Sequence, residues 1–152
     1  ANMISDVCDN AGADKHKVLA AVGGDSRIGN KYFRPGYSFG GPCFPRDTKA
    51  LKQFVDKVQI NSDLLTATTK YNEEHINFQV YEMLMEDKIA YTIEDICYKE
   101  NSKIPIIEES AKLKIAKRLV DAGKVVTIKD EKHMIDEVKK EYGNLFNYQI
   151  VD

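Results

Sequence analysis

Three short stretches after residue 87 alternate with two helix-period segments, and that alternation constrains the fold more than any other feature of the sequence. Residues 88–98 (KIAYTIEDICY), 125–129 and 146–151 (FNYQIV) have the β-branched and aromatic content of strands, although Glu94-Asp95 interrupts the first. Between them, residues 108–122, closed by Gly123, and residues 132–142 read as helices. Strand, helix, strand, helix, strand folds into a parallel sheet with crossover helices. Three strands and two helices make about half of a doubly wound domain.

Before residue 87 the period is helical. Met3, Ile4, Val7, Cys8 and Ala11 recur at three- and four-residue spacing, with no capping residue ahead of them, so the chain reads as starting inside an element. Asp14 caps a second helix that Gly23-Gly24 stops. A glycine-rich loop follows, and no helical or strand period survives in it. Pro45 stands where a first helical position belongs, and Leu51, Phe54, Val55 and Val58 continue that helix. Asn61 or Ser62 caps a longer helix to about Met85, whose apolar residues (Leu64, Leu65, Tyr71, Phe78, Tyr81, Leu84) wrap a wide arc. The fold class expected is α/β: a helical region over residues 1–87, then a partial parallel-sheet region over residues 88–152.

Composition removes several classes. Hydrophobic residues make up 43% of 152 positions, enough for a core. The 22 basic and 24 acidic side chains nearly balance, which argues against a nucleic-acid-binding protein. No apolar run approaches the roughly 18 residues of a membrane span. Cys8, Cys43 and Cys97 are odd in number and lack a CxxC pair, so neither a disulfide framework nor a zinc site is expected, and a reducing cytoplasm is the default. His75 has no second histidine three or four residues away and reads as part of a solvated helix face; no metal site is expected. Cys8 and Cys97 fall on apolar faces and read as core.

The chemistry is concentrated in residues 36–47, GYSFGGPCFPRD. Gly40-Gly41 has no Cβ to keep a ligand away from the backbone. Cys43 follows, just ahead of a helix start, where free amides and the helix dipole favour a thiolate. Arg46 adds positive charge, and Asp47, one turn on, is placed to activate water or orient a proton transfer. A thiolate beside donors and a carboxylate can attack a carbonyl covalently. The alternative is a buried structural cysteine in a glycine-rich turn.

GGPCFPRD, with the preceding DSRIGNKYFRPGYSF, closely resembles the catalytic-cysteine segment of the UDP-glucose/GDP-mannose dehydrogenase family. Residues 2–60 match almost without gaps, the long helix matches loosely, and the remainder matches the start of the family's C-terminal domain. The resemblance implies a central dimerisation domain over residues 1–87 and part of a Rossmann-like nucleotide-sugar-binding domain over residues 88–152. It implies two oxidations of a sugar primary alcohol, with NAD as acceptor and UDP-glucose as substrate, through a cysteine thiohemiacetal and thioester. Cys43 takes the nucleophile's position and Asp47 that of the aspartate handling water and protons. Arg27, Arg34, Tyr37, Phe39, Gly40, Tyr98 and Lys99 match substrate contacts, Arg27 reaching into the partner subunit. Cys43, Phe44, Pro45 and Arg46 match a segment touching nicotinamide. The helix at residues 62–85 matches the core of a homodimer.

The departures are equally specific. No G-x-G-x-x-G occurs in these residues, so NAD is expected to be held mainly by a domain outside them, and this chain alone to be inactive. Ile107 stands near a family arginine, and Glu94-Asp95 replaces an apolar-glycine pattern. A non-catalytic dimerisation or nucleotide-sugar-binding fragment, or GDP-mannose as substrate, is the alternative.

Overall fold

A computed structural model describes residues 1–99, 102 and 104–151. Helix α1 (Asn2–Ala11) ends at Gly12, whose φ of 65° turns the chain away. The Asp14 carboxylate then accepts the His16 and Lys17 amides at 3.0 and 3.1 Å and opens α2 (Lys15–Gly23). After an irregular run come α3 (Phe44–Lys57) and α4 (Asp63–Met85). The helix-starting residue in α3 is Phe44, with Pro45 inside the first turn, where its missing N–H costs no hydrogen bond. At α4 the expected cap takes another form. The Ser62 hydroxyl donates to Asp56 at 2.6 Å and leaves the helix amides alone, while Asn61 Oδ1 accepts the Asp63 amide at 2.8 Å.

The second half follows the expected alternation: β1 (Ala90–Glu94), α5 (Ala111–Asp121), β2 (Val125–Glu131), α6 (Lys132–Tyr142) and β3 (Asn147–Val151). The strands are parallel in the order β1-β2-β3, with Tyr91 beside Val126 and Ile128 beside Tyr148. Val126 and Ile128 are buried while Val125 is exposed, so one face of the sheet takes the helices. Leu113, Ile115, Ala116 and Leu119 of α5 and Met134, Ile135 and Val138 of α6 fill that face. α4 adds Ile76 and Val80 to the same apolar cluster, so a single core joins the helical half to the sheet.

Two boundaries depart most from the sequence expectation. β1 stops at Glu94 because Asp95 turns to φ 52°, and the next amide, Ile96 N–H, leaves the sheet to donate to Asp130 at 2.9 Å. α5 starts at Ala111 rather than 108, because Glu109 also has a positive φ, 53°. Ser110, 2% exposed, becomes the cap: its Oγ accepts the Leu113 amide at 3.3 Å and donates to Ile96 O at 2.7 Å.

Candidate functional site

Cys43 is the residue immediately before α3 and is exposed, whereas Cys8 and Cys97 are buried in the core as their faces implied. Asp47 N–H donates to Cys43 O at 2.8 Å, so the carboxylate stands one turn along the helix from the thiol. Arg46 Nε donates to Asp47 Oδ1 at 2.9 Å. That carboxylate, and beyond it Cys43, holds the Arg46 guanidinium above its ordinary pKa. Phe44 is 70% exposed beside the thiol. The head of α3 thus presents a thiol, a guanidinium and a carboxylate together at the surface.

The loop leading to Cys43 is fastened from behind by α4. Asn72 acts on Phe39 as a neighbouring strand would: its Oδ1 accepts the Phe39 amide at 2.9 Å and its Nδ2 donates to Phe39 O at 2.8 Å. Ser38 Oγ donates to Asn72 O at 2.5 Å. One turn further, His75 Nε2 lies 2.8 Å from Gly36 O, and its Nδ1 lies 2.8 and 2.9 Å from the two Asp6 oxygens. Tyr71 also donates to Asp6. His75 is 3% exposed, which corrects its reading as a solvated helix residue: α1 and the loop close over it. Burial first, and Asp6 second, hold the Tyr71 phenol protonated well above its usual range.

The glycine pair also works differently from the sequence reading. A Cβ on Gly40 would lie 2.1 Å from the backbone oxygen of Glu109, and one on Gly41, where φ is +81°, would lie 2.3 Å from the Tyr98 ring. Gly41 N–H donates to Glu108 O at 3.1 Å. The space those glycines leave is filled by the chain's own 108–110 turn and Tyr98, which dock the cysteine loop against the sheet region.

The matched residues form three groups. Arg34, Tyr37 and Phe39 line a cleft of about 830 Å³ with Tyr71, Asn72 and His75. Tyr37 is held through its carbonyl by Asn2 at 3.1 Å, and Lys112 Nζ lies 5.1 Å from its ring centre. Gly40 and Tyr98 form the second group at the docked turn, Gly40 against Glu109 and Tyr98 against Gly41, two residues before Cys43. Lys99 lines a separate hollow of about 280 Å³ with Asp95, Asp130, Glu131 and His133, at the C-terminal ends of β1 and β2. Open α/β sheets bind ligands at that edge. Arg27 stands apart: it makes a forked pair with Asp25 (2.7 and 3.0 Å) and its side chain is 87% exposed. Sequence reading missed Asp6, Ser38, Tyr71, Asn72 and His75. No spacing on α4 distinguishes His75 from a solvated histidine, because its partners Asp6 and Gly36 lie 69 and 39 positions away. Among the described residues no cluster of three His, Cys, Asp or Glu side chains is placed to hold a metal, and no helix is long and apolar enough to cross a membrane.

Fold and site together define an α/β chain in which a cysteine-headed helix is docked by its loop onto a parallel three-stranded sheet. Residues 1–74 match the family model for the central domain of the UDP-glucose/GDP-mannose dehydrogenase family. The UDP-glucose 6-dehydrogenase TuaD of Bacillus subtilis (strain 168) is 44% identical over 73 residues, 48% of this chain and 16% of its own length. The UDP-glucose 6-dehydrogenase of Rickettsia bellii (strain RML369-C) is 31% identical over 134 residues, 82% of this chain and 30% of its own length. A UDP-glucose dehydrogenase structure from the hyperthermophilic archaeon Pyrobaculum islandicum superposes on 99% of this chain with a TM-score of 0.85 at 26% identity, the match covering 35% of that chain. The chain belongs to the UDP-glucose/GDP-mannose dehydrogenase family, and it spans about a third or less of the length of these relatives.

Proposed function

We infer that the chain supplies the cysteine and part of the nucleotide-sugar site of an NAD-dependent dehydrogenase that oxidises UDP-glucose to UDP-glucuronate. Residues 1–87 would be its central dimerisation unit and residues 88–152 part of its nucleotide-sugar-binding domain. The observation behind this reading is the head of α3: Cys43 is exposed, Asp47 is one turn away, and the preceding loop is pinned at Gly36, Phe39 and Gly41. Oxidation of the sugar alcohol gives an aldehyde, and the Cys43 thiolate adds to its carbonyl carbon, forming a thiohemiacetal. Removal of a second hydride leaves a thioester, which water cleaves to the carboxylate, returning the thiol. Asp47 would take the proton of that water. A thiol suits this sequence, because a thioester keeps the sugar in place between oxidations and still yields to water.

NAD, when bound, accepts the hydride in each oxidation. The exposed Phe44 and Arg46 offer a surface for its nicotinamide end. Among the described residues, however, no glycine-rich turn opens a helix onto a pyrophosphate, so these residues fit only that end of the cofactor. Arg34, Tyr37, Phe39, Gly40, Tyr98 and Lys99 would contact substrate, and Arg27 would reach a partner's site.

The test is protection of Cys43. UDP-glucose at millimolar concentration is expected to slow iodoacetamide labelling of Cys43 in this chain, and GDP-mannose to slow it less. Equal labelling with and without either nucleotide sugar overturns the reading. A competing reading, for these residues taken alone, is a binding and dimerisation module with no turnover. For this chain on its own we expect no NAD reduction by UDP-glucose.

A further inference from the structure

Resting on the reading of loop 36–41 as a wall of the nucleotide-sugar site, we propose that His75 is a positioning residue. It sits between Asp6 and the loop, shares a proton with Asp6, and through the Gly36 carbonyl keeps the loop seated on α4.

The hydrogen bonds define the proton count. One ring nitrogen faces a carboxylate and the other a backbone carbonyl, at 2.8 Å each. Both partners accept, so two protons are needed where a neutral imidazole carries one. The second sits on the ring or on the Asp6 carboxyl, and the pair gains or loses it as a unit. With His75 3% and Asp6 9% exposed, water has little access to replace either bond. Tyr71 donates to Asp6 and stays protonated, so it stabilises the carboxylate without competing for the shared proton.

The consequence reaches the loop directly. If the shared proton leaves, the anionic Asp6 keeps the remaining proton on Nδ1, because a bare nitrogen lone pair facing a carboxylate is repulsive. Nε2 and the Gly36 oxygen then meet lone pair to lone pair, and that fastening is lost. Asn2 still holds the Tyr37 carbonyl and Asn72 still holds Phe39, while the Gly36 oxygen keeps the long Gln79 Nε2 contact at 3.5 Å, so release is confined to Gly36. The loop is therefore fixed when the pair holds both protons and freed once one of them is lost. Other charged or titratable groups lining the clefts that the pair borders are Asp9 from α1, Lys15 and His16 from α2, Tyr32, Arg34 and Tyr37 from the loop, and Glu74 and Glu82 from α4. Lys15 is bound to Asp9 at 2.7 Å, and α5 contributes only Ile115 there.

NMR on the unmodified chain tests this. The imidazole nitrogen shifts of His75, resolved from His16 and His133, and hydrogen exchange of the 36–41 amides are followed together against pH. In the state that the hydrogen bonds describe, the pair is expected to carry both protons, seen as a doubly protonated ring or a singly protonated ring facing a protonated carboxyl. Protection of the loop amides around Gly36, corrected for intrinsic exchange, is expected to fall roughly ten- to hundredfold as one of those protons is lost. Asp6→Asn separates positioning from packing. Its amide donates to Nδ1 while a neutral ring donates Nε2–H to Gly36, so protection should persist and its pH step should vanish. His75→Leu should leave the loop poorly protected at every pH; if that variant does not fold, the other two measurements still decide. A pair with one proton and a fully protected loop overturns the proposal, as does an unchanged pH step in Asp6→Asn. UDP-glucose failing to protect Cys43 while the loop behaves as described would instead refute the nucleotide-sugar reading and leave the role of His75 supported.

Discussion

Cys43 is at the surface, whereas Cys8 and Cys97 are 5% and 9% exposed and Cys97 Sγ is turned inward to Ile104 and Ile106 carbonyls at 3.5 and 3.2 Å. Alkylation requires both access and thiolate, and only Cys43 combines access with a helix start. Iodoacetamide near neutral pH is therefore expected to modify Cys43 first, and peptide mass spectrometry showing Cys8 or Cys97 ahead of it would refute this. The neighbouring glycines are a second residue-scale case. Gly40→Ala would put a methyl 2.1 Å from Glu109 O, a backbone atom that cannot swing away. The 108–110 turn must then shift, at a cost of about 1–3 kcal/mol, seen as a lower denaturation midpoint. A variant as stable as the parent would mean the loop does not dock where the structure places it.

At the scale of elements, α4 is the strut between the two halves, and Glu73 is its polar link to α5. The carboxylate accepts from Lys114 and Arg118 at 2.7 Å each, while Lys114 also pairs with Glu109 at 2.6 Å. Partial burial alone would raise the Glu73 pKa, but the hydrogen bonds from Lys114 and Arg118 outweigh it and hold the carboxyl below its usual range. A depressed carboxylate contributes stability above its unfolded pKa, about 4.3, and loses it as pH falls through the folded value. Glu73 is 42% exposed, so solvent screening limits the contribution to about 0.5–1 kcal/mol. Glu73→Gln should lower stability by that amount at neutral pH and flatten the acid limb of the stability curve. An acid limb as steep as the parent's would show that the α4–α5 bridge does not form. Apolar packing of α5 in the core is worth more: Leu119→Ala, at a fully buried position, should cost about 2–5 kcal/mol.

For the whole molecule, the open question is what covers its exposed apolar side chains. α3 buries none of its residues, and Leu51 and Phe54 are 51% and 61% exposed. Met3 and Val7 on α1, 56% and 58% exposed, border a shallow cleft with Tyr71 and Phe78 of α4, and Tyr81 is 56% exposed on the same helix. A symmetric pairing of such faces is the commonest route to a soluble oligomer. We expect a homodimer through α4, with light scattering giving a mass near twice the 17.2 kDa of one chain. Tyr81→Glu should return it to a folded monomer. A parent mass near 17.2 kDa at tens of micromolar chain, or a folded dimer after the change, rejects this interface.

Local chemistry was enough to read the helices and their order. Asp14 caps α2 through amides two and three residues away, and glycine ends α1 in a left-handed turn; both are short-range effects that a sequence displays directly. The alternation after residue 87 determined the parallel sheet, because strands that run the same way need crossover segments between them. The cysteine at a helix start was legible for the same local reason. Tertiary structure alone decided where the polar residues between those elements went. His75 meets Asp6 across 69 positions of sequence and Gly36 across 39, and no period on α4 marks it as different from a solvated histidine. Gly40 and Gly41 announced a close approach, but which partner approaches them depends on a turn some 70 residues away. Asp95 and Glu109 end β1 and delay α5 through positive φ angles that their residue types alone do not impose, beside the Asp130 and Ser110 bonds that only the folded sheet supplies. Spacing along the chain fixes what a backbone does over one or two turns; burial of a polar group is decided by partners that come together only when the core closes.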